Sequence, residues 1–204
     1  MTTDAIWIRR SFMSAGLTQI PTGLYLKTVQ HRFGGGTVML MLDVSGSMCG
    51  PPLTEAVRGA RTFVGEAVEA GYEVGVVLWH TEVVASCTPT PDGAQALVVL
   101  NQAIGGGGNN LIGPLIHCHA VLNQFTGDRV VCLFGDGDLT PKDQVLEKVA
   151  QMKSENIRFV TRGLGEFAGL EFGEISDEQP GAAKVDGVED LAEGIASMAT
   201  ALRV

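Results

Sequence analysis

The stretch MLMLDVSGSMCGPP, residues 39–52, decides how this chain folds. From Thr37 the residues TVMLMLD run apolar without alternation and end in the carboxylate of Asp43. A continuous apolar run of that length predicts a strand covered on both faces, as in a parallel sheet. Pro51 and Pro52 then suit the first turn of a helix. Leu53, Ala56, Val57, Ala60, Val64, Ala67 and Val68 recur at helical spacing until Gly71 stops them. Between strand and helix, Asp43, Ser45 and Ser47 place three oxygen-bearing side chains at alternate positions.

The same alternation continues along the chain. YEVGVVLWH (72–80) predicts a second strand, and EVVASC (82–87) an antiparallel hairpin partner. A helix is expected from Asp92 through AQALVVLNQAI, running into GGGGNN at 105–110. Pro114 fits the first turn of a helix over LIHCHAVLNQF. RVVCLFGD (129–136) is a further buried strand. Thr140, Pro141 and Asp143 resemble a capping box leading into QVLEKVAQMKSEN. IRFVTRGLG and a short AAKVDG are the last strands. VEDLAEGIASMATAL closes the pattern as an amphipathic helix with Leu191, Ile195, Met198 and Leu202 on one face. Before Thr37, IWI and GLYLKTV could be short strands, and the glycines at 34–36 a hinge or tight turn.

Strands alternating with helices predict an α/β fold: a doubly wound, mostly parallel sheet with one antiparallel edge strand and helices on both faces. Ligands of such sheets bind beyond the carboxyl ends of the strands, where the strand order reverses. That rule nominates DVSGS, GGGGNN and the GDGD after VVCLF.

At 204 residues the chain is expected to form one large domain with its own core. A composition of 45 % hydrophobic and 18 % charged residues is that of a globular protein. A net charge of −9, with only Arg9 and Arg10 adjacent, offers no basic stripe for nucleic acid. Cys49, Cys87, Cys118 and Cys132 lie far apart, which fits free thiols in a reducing compartment better than a disulfide framework. The first residues lack the basic-then-apolar order of a signal peptide, and no apolar run has the length of a membrane span. A cytoplasmic location is the expectation.

The three loops fail the enzyme signatures. Around Ser45 the flanking glycines of a nucleophile elbow are absent. GGGGNNLIG has the glycines of a phosphate loop without its lysine. A phosphotransferase of the haloacid-dehalogenase type needs a second acid where Ser45 stands, and GDGDLTP lacks the sixth-position glycine of a calcium loop. Hard-metal ligation fares better, because such ions want about six oxygens with some supplied by water. Asp43 supplies charge, Ser45 and Ser47 neutral oxygens, Asn109 or Asn110 an amide oxygen, and Asp136 or Asp138 a second carboxylate. Three plainer readings compete. The serines could cap the following helix while Asp43 binds loop amides. His117 and His119 face different directions on a helix, one buried and one exposed, rather than sharing zinc. His80 is a bystander near the loops, and Trp79 and Phe134 are core residues.

DVSGSM after an apolar strand resembles the metal-ion-dependent adhesion site (MIDAS) of von Willebrand factor A (vWA) domains, whose signature is DxSxS. The glycine-rich loop with its ligand and the LFGDG strand end follow in the family's order, so the resemblance covers about residues 37–202. It implies a three-layer Rossmann-like vWA domain over 37–204, preceded by an extension over 1–36. It further implies Asp43, Ser45, Ser47, Asn109 and Asp136 as ligands of Mg2+ (or Mn2+ or Ca2+), with Asn109 where the family usually has threonine. The implied function is not enzymatic: the ion would capture an Asp or Glu of a protein partner. Bacterial relatives of this compact type serve as adaptors of MoxR-type AAA+ ATPases or occur in tellurium-resistance and stress systems. The alternatives are a metal-assisted phosphoester hydrolase, with Asp138 or His80 as base, and a structural subunit with a degenerate site.

Overall fold

The computed structural model describes residues 35–202. The IWI and GLYLKTV segments, and all but the last two residues of the 1–36 extension, lie outside that range. Gly36 packs rather than hinges: a Cβ there would come within 2.4 Å of the Asp128 carbonyl and 2.6 Å of the Tyr72 ring.

Six strands form one sheet: β1 (Thr37–Asp43), β2 (Glu73–Trp79), β3 (Val83–Thr90), β4 (Arg129–Gly135), β5 (Ile157–Leu164) and β6 (Lys184–Val185). Their order is β3-β2-β1-β4-β5-β6, and all neighbours are parallel except β2 and β3. The antiparallel edge strand is therefore where the hairpin pattern placed it. Every residue of β1 is buried, and its side chains alternate between two cores. Val38, Leu40 and Leu42 face α1 (Pro51–Glu69), α2 (Ala94–Leu100) and α6 (Leu191–Ser197); Met39 and Met41 face α3 (Ile112–Leu122), α4 (Lys142–Ser154) and α5 (Gly165–Gly173). Two dry faces on one strand account for the unbroken apolar run.

Several elements depart from the sequence expectations. The helix after Asp92 spans only Ala94–Leu100, because Asn101 ends it and Ala103 and Ile104 are already loop. The capping box does not form. Pro141 is the residue before α4, no side chain caps that helix, and the Thr140 hydroxyl donates back to Asp138 instead. The final amphipathic helix is broken into two short 3-10 turns around α6, yet Leu191, Ile195, Met198 and Leu202 are all buried as its periodicity required. Among the described residues no helix is long and apolar enough to cross a membrane.

From β1 the chain winds outward to β2 and β3, then crosses back to β4 and winds the other way. The carboxyl ends of β1 and β4 thus border the point where the order reverses, and their loops diverge around a shared cleft.

Candidate metal centre

Three loops meet in that cleft, and backbone hydrogen bonds hold two of them together. The Gly46 amide donates to the Gly107 carbonyl at 3.1 Å, and the Gly106 amide to the Val44 carbonyl at 2.9 Å. Gly46 has reason to be glycine, since a Cβ would stand 3.2 Å from that Gly107 carbonyl.

Asp43 ends β1 with no exposed surface. Its Oδ1 accepts the Ser45 amide at 2.7 Å, while its Oδ2 has no partner. Burial pushes its pKa up to about 6, and the neighbouring Asp136 charge adds to the rise against the lowering hydrogen bonds from Ser45. The Ser45 and Ser47 hydroxyls lie 3.1 Å apart, and Ser47 donates to Asp136 Oδ1 at 2.8 Å. Neither serine caps a helix: Ser45 precedes a 3-10 turn without a side-chain cap, and Gly50 precedes α1. Asp43 does bind a loop amide, so that part of the plain reading holds while the capping part fails.

Asn109 joins the group from the glycine-rich loop. Its Nδ2 donates to the Asp138 carbonyl at 3.2 Å, and a Cβ on Gly137 would fall 2.0 Å from that nitrogen. The amide is thereby fixed with Oδ1 buried and unpartnered. Asn110 differs, because its Oδ1 accepts the Ile112 amide at 3.2 Å and is already used at the start of α3. Asp138 is likewise engaged, by Thr140.

Asp43, Ser45, Ser47 and Asp136 form one hydrogen-bonded chain, with Asn109 seated against Gly137, next to Asp136. Among the described residues three buried side-chain polar atoms lack a partner: Asp43 Oδ2, Asn109 Oδ1 and Trp79 Nε1, the last on the residue paired with Asp43 on β2. Desolvated oxygens left without donors are costly unless something else satisfies them. Two carboxylates and three neutral oxygens are a donor set suited to a hard divalent ion. Among the described residues no three His, Cys, Asp or Glu side chains gather as a metal-ligating group.

His80 is closer to the site than a bystander. A Cβ on Gly107 would stand 2.8 Å from its ring, and its carbonyl accepts the Asn110 amide at 3.0 Å. It shapes the glycine-rich loop, a contact that nothing in the spacing announced. His119 is buried and binds Glu155 at 2.8 Å and Lys148 at 2.7 Å, while His117 is half-buried elsewhere on α3. Trp79 and Phe134 are core residues.

Residues 38–138 match the family model described as von Willebrand factor type A domain. Among solved structures, the vWF domain of the type V pili tip protein Mfa5 from Porphyromonas gingivalis superposes with a TM-score of 0.72 at 12% identity, covering 82% of this chain and 94% of that one. A von Willebrand factor type A protein from Catenulispora acidiphila gives 0.65 at 18% identity, over 83% of this chain and 42% of that one. Proximal thread matrix protein 1 from the mussel byssus, with a zinc-occupied MIDAS motif, gives 0.64 at 16% identity over 81% and 48%. The chain thus spans nearly all of the first but less than half of the other two. No curated protein matches the sequence.

Proposed function

Because the chain belongs to the von Willebrand factor type A domain family, we propose that Asp43, Ser45, Ser47, Asn109 and Asp136 hold a divalent cation, magnesium first, with manganese or calcium as substitutes. The held ion grips an Asp or Glu side chain of a protein partner. The observation carrying this reading is the pair of buried, unpartnered oxygens, Asp43 Oδ2 and Asn109 Oδ1. Bound, the ion supplies an electrophilic position that a carboxylate oxygen can fill. The protein's part is to orient five oxygens from the end of β1 and from three loops, and to keep at least one coordination position open to solvent, on the side of exposed Ser47.

Family membership supports a protein-interaction role rather than catalysis. Phosphoester turnover would need a general base. Asp138 is engaged by Thr140, and His80 Nδ1 accepts the Thr81 amide. The setting we propose is bacterial and cytoplasmic, as an adaptor of a MoxR-type AAA+ ATPase or of a tellurium-resistance or stress complex. Four free cysteines, two of them buried in the cores, support a reducing compartment. Recovery of an AAA+ ATPase in a pull-down that chelator abolishes tests the partner, and cell fractionation tests the location.

Isothermal titration with magnesium and manganese tests the site itself. Wild type should bind one ion, and Asp43→Ala should give no binding heat while keeping its circular dichroism. The variant should melt no lower than wild type in chelator, since a buried charge has been removed. Unchanged ion binding in Asp43→Ala would overturn the assignment.

A further inference from the structure

Beside the metal centre runs a groove of about 520 Å³ between the first three turns of α1 and the segment joining α2 to the glycine-rich loop. Val57, Ala103 and the edge of Leu53 give it an apolar side, and Thr54, Asn101 and Arg61 a polar one. Ile104 on its rim is 77% exposed, the most exposed of the large hydrophobic residues described. A lone exposed apolar residue is ordinary, but beside the apolar side of a cleft it extends a patch that a partner can cover. At the far end stands Arg61, whose guanidinium donates to the Asn101 amide oxygen. Among the described residues no carboxylate pairs with it, in a chain whose net charge is −9.

The groove neighbours the loops of the proposed ion site. Its near end is formed by Gly50 and Gly105, next to the two loops that the Gly46–Gly107 and Gly106–Val44 hydrogen bonds join. We propose that this groove binds the residues flanking the captured carboxylate, and that the partner is an extended segment carrying an aliphatic side chain and then a second carboxylate. The inference rests on the metal-capture reading above. The aliphatic side chain covers Ile104 and Leu53, and the second acid meets Arg61.

Geometry sets the spacing. Gly50 and Arg61 are eleven positions apart along α1, roughly 16 Å at 1.5 Å per residue. An extended peptide at about 3.3 Å per residue covers that in about five residues. The segment therefore carries an acid at the ion, an aliphatic residue about three positions on, and a second acid at least about five positions on.

The test uses fluorescein-labelled peptides GDSGLSEG and its reversed order GESLGSDG, with fluorescence anisotropy on the full chain in magnesium. Leu→Ser and Glu→Lys versions of each peptide are the controls. One of the two orders should bind, its Leu→Ser version about tenfold more weakly, as expected for losing a buried aliphatic side chain. Arg61→Glu should reverse the preference between the Glu and Lys peptides, and Ile104→Ser should remove the preference for leucine. Both positions are exposed, and both variants should bind magnesium by calorimetry as wild type does. Equal affinity of all peptides, with chelator still releasing them, would overturn the groove and leave ion capture standing. Leucine-dependent binding that ignores chelator would keep the groove and overturn capture. No peptide binding by a protein that holds its ion would overturn both. A change of oligomeric state in Ile104→Ser on sedimentation would make the groove a contact between copies of this chain, and overturn the proposal.

Discussion

Asn109 is the residue at which this chain departs from the usual threonine of its family's motif, and its surroundings explain how an amide fits there. The longer side chain is accommodated because Gly137 leaves the space a Cβ would fill, and the Asp138 carbonyl anchors the Nδ2 end. Oδ1 is left buried and without a partner. Asn109→Thr should keep a working ion site, since a hydroxyl is an equally hard neutral ligand. Asn109→Asp should hold the ion more tightly and a carboxylate partner more weakly, because a third acid cancels more of the charge that attracts it. Calorimetry for the ion and anisotropy with GDSGLSEG, on the same three proteins, measures both constants. Because the Asn110 oxygen serves Ile112, Asn110→Ala should leave ion affinity unchanged and fray the start of α3.

At the scale of the elements, the sequence carried most of the sheet and little of what the glycines do. The strands were legible from apolar runs and their short length, β1 unbroken, though β3 runs on past the expected Cys87 to Thr90. The helix α5 was not, since GEFAGLEFG holds three glycines and reads as a loop. Tertiary packing overrides that propensity. A Cβ on Gly163 would meet the Ala168 backbone at 2.3 Å, and one on Gly169 would meet Lys184 at 2.9 Å, so α5 lies almost on β5 and β6. The convergence of Asp43, Ser45, Ser47 and Asp136 was legible because these residues end or directly follow β1 and β4; the fit of Asn109 against Gly137 was not, since it depends on two loops 28 positions apart meeting. Close approach also joins α1 to α6, where a Cβ on Gly59 would stand 2.5 Å from the Ala192 carbonyl. Gly59→Ala should therefore destabilise the protein by roughly 1–3 kcal/mol in chemical denaturation, the usual cost of overpacking, despite alanine's better helix propensity. At the opposite end of the sheet, Arg158 grips Asp128 at 2.9 and 2.6 Å, and Tyr72 joins Asp128 to the Leu202 carbonyl. Half-burial of Asp128 opposes ionisation, but the hydrogen bonds from Arg158 and Tyr72 outweigh it and hold its pKa below the usual carboxylate value. A depressed carboxylate stabilises the fold above its unfolded pKa, and that stability is lost as pH falls through the folded value. Asp128→Asn should thus melt below wild type at pH 7, with the gap closing as the pH is taken below about 4. Thermal melts across that range check it, and a gap independent of pH would mean that the ion pair contributes nothing through its charge.

For the molecule as a whole, the two ends of the sheet do different work. The amino end of the parallel strands is closed by direct pairs, Asp128 with Arg158 and Tyr72 with Leu202, whose polar atoms satisfy one another. The carboxyl end instead gathers acceptors, Asp43 Oδ2 and Asn109 Oδ1, that nothing among the described residues satisfies. On the reading proposed above, a cation completes the second end. Binding should therefore stabilise unevenly. Saturating magnesium, at about a hundred times its dissociation constant, should add about 2.7 kcal/mol to global stability if the unfolded chain does not bind it. Local protection, measured by amide hydrogen exchange, should go further in the three loops that the ion ties together, and most of all at Ser45, Ser47 and Asn109, whose segments otherwise open below the global limit. Amides around Asp128 and Arg158 should gain no more than the global increment. If chelator and magnesium gave the same exchange pattern throughout, the carboxyl end would be as self-sufficient as the amino end. The unpartnered oxygens would then have no ligand to explain them.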